Sequence, residues 1–539
     1  MTGFPSLPRT VCILAAGRGT RLDYAGGRLH KALAPIGNRA VLTHIIQSLG
    51  ADSQFIIAVG HLEEQIRAYV ELAHPDLSVS FVVVPDYNGP ASGPGLSLLQ
   101  CRPLLSGPFL LTAADSIVVK PPRETDTSWL AVAAVANPAD YLTVETDARG
   151  RVVDLHERTG KTTSAFVGLA SVTDPDAFFA GLEAPGAPGE HQVTPGLMAL
   201  IGANGFVAAH EVDWLDTGTI SGYEAARVRF DEEPSGGRIP LDVTYLVGER
   251  VVKWASDPEA VRDRTARARL LKGMVPALLP APESWMAYDL VPGETLRDSV
   301  DGLSATDFLD WAADVLWQPV AEPPSFRAAC ADFYGRKTSS RLAAYAEDSC
   351  GGIGESDAVV INGLVTDRVA HALAVELDGL VAASTPCLFH GDLHEGNIIV
   401  TTDRYRLIDW RGDFGGIRDA GDRQYDLAKF LHTLELPESV MAAGTFSAVA
   451  SGGAITLAQP DTTTRQAARR AFWTWCDRQA IDTRALGILD ALVFINMAPL
   501  YQGEMSRYLY ALGRWLLQVS RDASSWQERE SILGGGLLR

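Results

Sequence analysis

The stretch that most constrains this chain is residues 388–409, LFHGDLHEGNIIVTTDRYRLID. Two short apolar runs, IIV and YRLI, flank the turn-like TTDR, and this pattern predicts a β-hairpin. Asp392 and Asn397 precede the hairpin, and Asp409 follows it directly. A phosphoryl-transfer site needs a carboxylate that accepts the proton of the acceptor hydroxyl, and an Asn and an Asp that hold Mg²⁺ against the nucleotide phosphates. The stretch therefore predicts Asp392 as the catalytic base and Asn397 and Asp409 as metal ligands.

The spacing of these residues is similar to that of a known family of sites. Asp392 and Asn397 have the offset of the Asp and Asn in the H-R-D-x-x-x-x-N loop of protein kinases. The loop, with His390, and the Ile408-Asp409-Trp410 sequence resemble the aminoglycoside phosphotransferase/choline kinase family, whose motifs are HGDxHxxN and I-D-W. The resemblance implies a two-lobed, protein-kinase-like α+β domain that uses ATP and Mg²⁺, with His390 orienting the loop.

Length and composition bound the rest of the chain. A chain of 539 residues is too long for one core, and 47% hydrophobic with 21% charged residues is typical of an ordinary soluble protein. The formal charge of −20 argues against a nucleic-acid or membrane partner. The six cysteines show no metal-ligand spacing and are typical of reduced thiols. We therefore expect a cytoplasmic enzyme that acts on small molecules. Whether it forms a homo-oligomer stays open.

The first part of the chain alternates between strand and helix patterns. The apolar face of a helix covers residues 41–49 and stops at Gly50, and a second helical face covers residues 62–73. Continuous apolar runs predict buried strands at residues 10–14, 55–59, 81–84, 109–111 and 129–136. This alternation predicts an α/β fold, Rossmann-like, with a mostly parallel sheet whose ligands bind at the carboxyl ends of the strands.

A glycine-rich turn, LAAGRGTRL, follows the first strand at residues 14–22. Its small residues let the backbone N–H groups approach a triphosphate, and Arg21 and Lys31 offset phosphate charge, which makes them candidate catalytic residues. Leu22 stands where a dinucleotide fingerprint needs its third glycine, and no Walker A sequence follows. The predicted nucleotide-binding residues of this turn are Leu14, Ala15, Ala16, Gly17, Gly19 and Thr20.

This turn with its following lysine resembles the signature of nucleotidyltransferases that activate sugar phosphates and phosphocholine, and the resemblance covers roughly residues 8–230. It implies that Asp115, in TAAD, and Asp216, in WLDTGT, bind Mg²⁺. Lys161 stands near the place of the lysine that contacts the acceptor phosphate, although a surface-loop lysine is an equal alternative. The turn-rich loop at residues 88–97 is somewhat closer to phosphocholine cytidylyltransferases, so the base of the nucleotide stays open.

Residues 231–238, DEEPSGGR, are charged, rich in Pro and Gly, and typical of a linker. We expect a nucleotidyltransferase domain at residues 1–230, a kinase-like N-lobe at 239–295 and a C-lobe at 296–539. Lys253 ends a predicted strand, as the VAIK-type lysine of kinases does, and is the expected contact to the ATP phosphates. The next helix, near residues 258–272, has Arg or Ala where a partner glutamate is usual, which leaves that ion pair open.

Together the two halves predict a bifunctional enzyme. The kinase half would phosphorylate a small hydroxyl compound with ATP, and the other half would couple the product to a second NTP (CTP, UTP or GTP) and release pyrophosphate, with Mg²⁺ at both sites. A sugar acceptor is slightly favoured. The alternatives are an amino-alcohol kinase joined to a CTP-dependent cytidylyltransferase, an antibiotic-type phosphotransferase with a regulatory first domain, and a pseudoenzyme scaffold.

Overall fold

The computed structural model describes residues 9–19, 27–90, 92–124, 126–184, 191–204, 207–230, 241–298, 300–348 and 358–536. The chain divides into two compact units. The first unit comprises Met1–Pro258 and Leu279–Leu290, and the second comprises Glu259–Leu278 and Val291–Arg539. The linker predicted at residues 231–238 lies outside the described residues, so the predicted domain boundaries stay a prediction.

The first unit is an α/β structure. Its helices are α1 Val41–Leu49, α2 Glu63–Ala73, α3 Pro94–Cys101, α4 Pro175–Glu183, α5 Thr194–Asn204 and α6 Ile220–Arg229. Its strands up to residue 255 are β1 Thr10–Ala15, β2 Pro35–Ile36, β3 Arg39–Ala40, β4 Gln54–Val59, β5 Val79–Val83, β6 Phe109–Ala113, β7 Ser116–Val118, β8 Trp129–Ala134, β9 Leu142–Thr146, β10 Val152–Glu157, β11 Ser164–Val172, β12 Ala208–Glu211, β13 Trp214–Asp216, β14 Asp242–Val247 and β15 Arg250–Ala255. The chain continues with α7 Pro258–Leu270, β16 Leu278–Leu279 and β17 Trp285–Asp289.

The main sheet of this unit has a parallel centre and an antiparallel side. β1 pairs in parallel with β4 and β6, and β4 pairs in parallel with β5. β11 continues the sheet antiparallel to β6, and β9 and β10 follow it. Val11 and Ile13 pack on one face and Cys12 on the other, so β1 is buried on both faces, as the central strand of a parallel sheet is. The predicted α/β class is confirmed, with β9 to β11 as an antiparallel addition.

A smaller antiparallel sheet, β14-β15-β17, completes the core of the first unit. Val243, Tyr245 and Trp285 belong to the same buried cluster as Tyr69 of α2. The hydroxyl of Tyr245 donates to the backbone oxygen of Leu33 at 2.6 Å, and the two Tyr rings meet edge to face at 4.9 Å between centroids. The strands that the sequence assigns to a kinase-like N-lobe therefore share the hydrophobic core of the first unit.

The second unit is mainly helical with short strands. Its further helices are α8 Gly302–Trp311, α9 Phe326–Ala331, α10 Lys337–Asp348, α11 Val369–Ala383, α12 Arg423–Glu435, α13 Glu438–Ala443, α14 Thr463–Arg478, α15 Thr483–Met497, α16 Gly503–Asp522 and α17 Trp526–Gly536. Its further strands are β18 Glu294–Thr295, β19 Val359–Ile361, β20 Leu364–Thr366, β21 Pro386–Cys387, β22 Ile398–Thr401, β23 Arg404–Leu407, β24 Gly421–Asp422, β25 Ser447–Ser451 and β26 Ala454–Ala458. β22 and β23 form the predicted hairpin, with Ile398 opposite Leu407.

Apolar segments of the second unit and cysteines of both units lie in the protein interior. The segment Thr483–Leu500 is apolar and long enough to cross a membrane by length and composition alone, but 67% of it is buried inside the protein, as in a core helix. Trp473 and Trp475 of α14 and Trp515 of α16 are also fully buried, as in core packing. Cysteines 12, 101, 330, 387 and 476 are buried and free, and Cys350 lies outside the described residues.

Candidate active sites

The first site begins at the carboxyl end of β1. Gly19 has a φ of +66°, and a Cβ there would lie 2.6 Å from Cδ of Lys31, so the glycine-rich turn lies against the lysine stem. The Nζ atom of Lys31 donates to Oδ2 of Asp115 at 2.6 Å. Asp115 follows β6, the strand beside β1. The fold thus brings together the turn, the predicted catalytic lysine and the first predicted metal ligand.

The second carboxylate of this site reaches the same place through a strand pair. β7 and β13 are antiparallel, with Asp216 opposite Ser116. The N–H and the hydroxyl of Thr217 both donate to the backbone oxygen of Asp115, at 2.9 and 2.8 Å. A Cβ on Gly218 would lie 3.1 Å from Oδ2 of Asp115 and 3.2 Å from Oδ1 of Asp216. Both carboxylates therefore face one small space that the glycine leaves open.

This space suits a hard divalent cation. Oxygen ligands from carboxylates are those that Mg²⁺ prefers. The carboxylate of Asp216 is held by the N–H of Gly218 on Oδ1, at 2.9 Å, and by the hydroxyl of Tyr141 on Oδ2, at 2.8 Å. Such hydrogen bonds fix a ligand in one orientation. The donor set and the gap at Gly218 fit a metal held by Asp115 and Asp216.

The other residues predicted for this site have different outcomes. Thr20 and Arg21 lie outside the described residues. Leu14 and Ala15 end β1, and the backbone oxygen of Ala16 accepts the N–H of His61 at 3.0 Å. Gly17 faces open space, since a Cβ there would meet no atom within 4 Å.

Lys161, predicted to contact the acceptor phosphate, lies on the surface beside β9. Its Nζ donates to Oε2 of Glu145 at 2.8 Å, and His156 contacts the same oxygen at 2.8 Å. This contact raises the pKa of Lys161 and lowers that of Glu145. Among the contacts of the described residues, none joins Lys161 to Asp115 or Asp216.

The second site lies in the loop between β21 and β22. Oδ1 of Asp392 accepts Nζ of Lys429 at 2.9 Å, and Nε2 of His394 lies 4.0 Å from Oδ2. Burial would raise the pKa of Asp392, but the positive charge of Lys429 and its hydrogen bond hold it well below the usual range. Asp392 retains 39% of its side-chain surface, so an ionised carboxylate is accessible to a substrate.

The backbone of this loop is held by a buried carboxylate of α12. Asp426 accepts the N–H groups of His390 and Gly391, each at 2.7 Å, and the indole N–H of Trp317 at 3.2 Å. Burial raises the pKa of Asp426 to about 6. Nδ1 of His390 accepts the N–H of Asp392, so Nε2 carries the hydrogen and donates to the backbone oxygen of Ile408 at 2.8 Å. His390 is therefore a neutral support for the loop, consistent with the lowering of its pKa by burial to about 3.

The hairpin β22–β23 places the two predicted metal ligands side by side. Asn397 precedes β22 and Asp409 follows β23 closely, and the N–H of Ile408 donates to the backbone oxygen of Asn397 at 3.0 Å. Nδ2 of Asn397 donates to the backbone oxygen of Asp392 at 2.9 Å, which leaves its Oδ1 as a possible ligand. Asp409 has a φ of +60°, a strained conformation found at functional positions. An amide oxygen and a carboxylate are suitable ligands for Mg²⁺.

Helix α7 also supports the loop, through a fully buried arginine. The guanidinium of Arg267 donates to the backbone oxygens of Phe389 and, at 3.1 Å, of Arg411, and it stacks 3.6 Å from the centroid of the Phe389 ring. Burial lowers its pKa to about 10. The helix on which a glutamate is usual therefore contributes an arginine that binds the loop backbone.

Comparison with protein families agrees with both halves of this description. Residues 11–180 match the model of the MobA-like NTP transferase domain. Residues 244–460 match the model of the phosphotransferase enzyme family. Two family domains are thus joined in this chain, a nucleotidyltransferase domain and a phosphotransferase domain. The two predicted resemblances are confirmed.

Curated relatives match a part of this chain. The bifunctional protein GlmU of Halorhodospira halophila is 29% identical over 208 residues, which are 36% of this chain and 42% of the relative. The GlmU of Burkholderia mallei is 36% identical over 150 residues, 26% of this chain and 30% of the relative. A CMP-5'-(3-aminopropyl)phosphonate synthase of Streptomyces rubellomurinus is 26% identical over 157 residues, 28% of this chain and 24% of the relative. The chain spans less than half the length of these relatives.

Solved structures resemble the chain over a similar share. UDP-glucose pyrophosphorylase in complex with UDP-glucose aligns with a TM-score of 0.36 and 19% identity, over 42% of this chain and 99% of that one. A glucose-1-phosphate thymidylyltransferase from Bacillus anthracis aligns with a TM-score of 0.35 and 18% identity, over 42% of this chain and 100% of that one.

Lys253, predicted to contact the ATP phosphates, belongs to the family span of the phosphotransferase domain but to the first compact unit. It lies on β15, with Nζ 6.0 Å from the centroid of the Tyr288 ring of β17. Its predicted role stays a prediction.

Sequence reasoning missed several residues of both domains. Tyr141 has no sequence signal, since only the fold brings it to Asp216. Gly218 stands inside the DTGT motif, but the prediction considered only Asp216 of that motif. Lys429 had a usable signal, because it lies three residues after Asp426 and therefore on the same face of α12. For the helix that contains Arg267, the sequence indicated only that the glutamate usual in kinases is missing.

Proposed function

We propose that the chain first phosphorylates a small hydroxyl compound with ATP and then couples that phosphate to an NTP with release of pyrophosphate. The observation that supports this proposal is that each compact unit has its own cluster of candidate metal-binding or catalytic aspartates. One site consists of Lys31, Asp115 and Asp216 around Gly218. The other consists of the Asp392 loop next to the hairpin with Asn397 and Asp409.

In the kinase step, Asp392 accepts the hydroxyl proton of the acceptor. Its low pKa keeps it ionised, and its contact with Lys429 at 2.9 Å fixes its orientation. Asn397 and Asp409 would hold Mg²⁺, which neutralises charge on the nucleotide phosphates. Lys253 would contact the α- and β-phosphates.

In the transferase step, the backbone N–H groups from Leu14 to Thr20 receive the triphosphate. Asp115 and Asp216 would hold the Mg²⁺ that offsets phosphate charge. Lys31, next to Asp115, stabilises the charge that develops on the oxygens of the α-phosphate, together with Arg21. Lys161 would have to leave Glu145 in order to contact the acceptor phosphate.

Two substrate pairs fit these steps. A sugar with UTP, GTP or CTP is the first candidate, because the WLDTGT motif resembles sugar-phosphate enzymes. A second candidate is a small alcohol with CTP. It is supported by the relative of Streptomyces rubellomurinus, whose name describes a CMP-linked product.

The proposal is tested with the full chain, Mg²⁺, ATP and each NTP in turn, on a panel of sugars and amino alcohols. Phosphorylation is read as ADP formation and the second step as pyrophosphate release. We expect pyrophosphate release from an unphosphorylated acceptor only when ATP and one particular NTP are both present. The synthetic phosphorylated acceptor should remove the need for ATP. Pyrophosphate release that never depends on prior phosphorylation would contradict the proposed order.

A further inference from the structure

Three cationic side chains from three different segments lie around the Asp392 loop. Lys337 is the first residue of α10, Arg411 follows Asp409 by two residues, and Lys429 lies on α12. We call these three residues the basic cluster. Lys429 is held by its ion pair with Asp392. Lys337 and Arg411 are held by other contacts.

Lys337 and Arg411 share one aromatic ring. The Nζ atom of Lys337 lies 4.0 Å from the centroid of the Phe333 ring, and Cζ of Arg411 lies 5.2 Å from the same centroid. Tyr425 of α12 adds a second ring 5.8 Å from the lysine Nζ. Phe333 belongs to a π-helical turn, Asp332–Arg336, directly before α10, and such turns are frequent at functional sites.

Arg411 is in direct contact with the loop that carries Asp392. Gly391 has a φ of +89°, and a Cβ there would lie 2.8 Å from both Cβ and Cδ of Arg411. The N–H of Arg411 donates to the backbone oxygen of His390 at 3.0 Å. Its Nε atom is buried and has no hydrogen-bond partner. The arginine is therefore fixed beside the catalytic base with an unused donor.

Asp392 balances only part of the charge of this cluster among the described residues. Among the residues that the structure describes, no carboxylate forms an ion pair with Lys337 or Arg411, and Lys429 pairs only with Asp392. Burial, followed by the charges of Arg411, Lys429 and Arg341, lowers the pKa of Lys337 to about 7. By contrast, the next residue, Arg336, has an acidic partner, Asp332, at 2.8 Å. Two cationic side chains without an ion-pair partner in the described part of the chain, next to a third that pairs with Asp392, indicate a place for an anion in a chain of charge −20.

We propose that the acceptor of the phosphotransferase domain is an anionic hydroxyl compound, whose carboxylate, phosphonate or phosphate the basic cluster holds beside Asp392. This inference rests on the proposed kinase step and narrows its candidate acceptors to a sugar or small alcohol that carries an anionic group. The acceptor hydroxyl oxygen forms the new bond to the γ-phosphorus of ATP, the bond to the ADP oxygen breaks, and the hydroxyl proton passes to Asp392. A cationic acceptor such as an amino alcohol would meet like charges at this place.

The test uses the full chain with ATP and Mg²⁺ and acceptors that differ mainly in charge. Glycerate is compared with glycerol, and 2-hydroxyethylphosphonate with ethanolamine and choline, by ADP formation and detection of the phosphorylated product. We expect kcat/KM for glycerate and 2-hydroxyethylphosphonate to exceed kcat/KM for glycerol, ethanolamine and choline by at least about 10-fold. This is the scale of a charge-assisted hydrogen bond.

Variants of Lys337 locate the effect. Lys337→Met should raise KM for the anionic acceptor by about 10-fold or more and leave KM for ATP within about twofold, while Lys337→Arg should retain most of the affinity. Arg336→Met is the matched control, because it removes the same charge from the adjacent residue, whose side chain is 79% exposed. Thermal unfolding of each variant identifies those that fail to fold, and the acceptor comparison in the unmodified chain does not depend on them.

Three outcomes would overturn the inference, and they are distinguishable. Faster transfer to the neutral or cationic acceptors would remove the anionic substrate class but leave the kinase function intact. A Lys337→Met variant that raises KM for ATP instead would assign the basic cluster to the nucleotide. No phosphorylation of any acceptor would contradict the proposed kinase function itself, and the inference with it.

Discussion

Each of the two sites contains a lysine bonded to an aspartate, but the aspartates have different expected roles. In the nucleotidyltransferase domain, Lys31 bonds to Asp115, an expected metal ligand, at 2.6 Å. In the phosphotransferase domain, Lys429 bonds to Asp392, the expected base, at 2.9 Å. A metal at Asp115 would compete with Lys31 for the carboxylate and direct the lysine to the phosphates. No metal is expected at Asp392, so Lys429 keeps its bond to the base and positions it.

The two sites also differ in what holds them. Asp115 and Asp216 are joined by a local strand pair and by the bonds of Thr217 to the Asp115 backbone. The Asp392 loop is held from two helices by buried ionisable groups, Asp426 and Arg267. One site is therefore held by backbone pairing, and the other by charged side chains in the interior.

The largest expected effect concerns the separation of the two domains. A fragment of residues 1–232 lacks β14, β15 and β17, whose Tyr245, Trp254 and Trp285 belong to the core of the first unit. Each buried large apolar side chain contributes about 1.5–3 kcal/mol, so their loss approaches the whole stability of a domain. We expect this fragment to aggregate and fragment 1–290 to be folded, as measured by circular dichroism and size-exclusion chromatography. A stable, monomeric 1–232 fragment would show that the small sheet is dispensable.

The next effect is the functional separation of the sites. Asp392→Asn should reduce phosphorylation by about 10²–10⁴-fold, the usual scale of general-base catalysis, without changing pyrophosphate release from a pre-phosphorylated acceptor. Asp216→Ala should have the opposite pattern. Each variant serves as the control for the other. If either substitution abolished both activities, the two sites would not be independent.

The sequence predicted much of both sites because their residues occur in compact motifs. The loop from His390 to Asn397, the hairpin after it and Asp409 follow from local spacing, and the structure forms that hairpin. Lys31 and Asp115 are 84 residues apart. Asp115 follows the end of β6, and the glycine-rich turn that contacts Lys31 follows the end of the neighbouring parallel strand β1.

What the sequence did not predict depends on packing between distant segments. Tyr141 reaches Asp216 only because the antiparallel strands β9 to β11 extend the sheet, and β10 alternates buried and exposed residues instead of forming an apolar run. The packing of Tyr245 against Tyr69 is likewise invisible in either segment alone. The hydrogen bond of Arg267 to the loop backbone depends on where the fold places α7, because its partner is 144 residues away in sequence.

Replacement of Lys31 and of Lys429 should affect the two activities differently. Lys31→Met should reduce pyrophosphate release by about 10²–10³-fold, as removal of a transition-state donor does. Lys429→Met should have a smaller effect on phosphorylation at neutral pH. Because the charge of Lys429 holds the pKa of Asp392 low, its removal should raise that pKa and move the acid limb of kcat/KM to higher pH. Lys429→Arg is the control that retains the charge. An unchanged acid limb would mean that Lys429 does not act through Asp392.

The smallest expected effect comes from one methyl group between the two carboxylates. In Gly218→Ala the new Cβ would lie 3.1 Å from Asp115 Oδ2 and 3.2 Å from Asp216 Oδ1, closer than ordinary contacts, so one carboxylate must move. We expect pyrophosphate release to fall by about 10-fold, with a raised Mg²⁺ requirement, because misplaced ligand oxygens typically cost that much in metal affinity. Phosphorylation should be unchanged. Gly202→Ala is the matched control, since its Cβ would meet no atom within 4 Å. If Gly218→Ala left the Mg²⁺ dependence of pyrophosphate release unaltered, the space between Asp115 and Asp216 would not be the metal position, and the two aspartates would act separately.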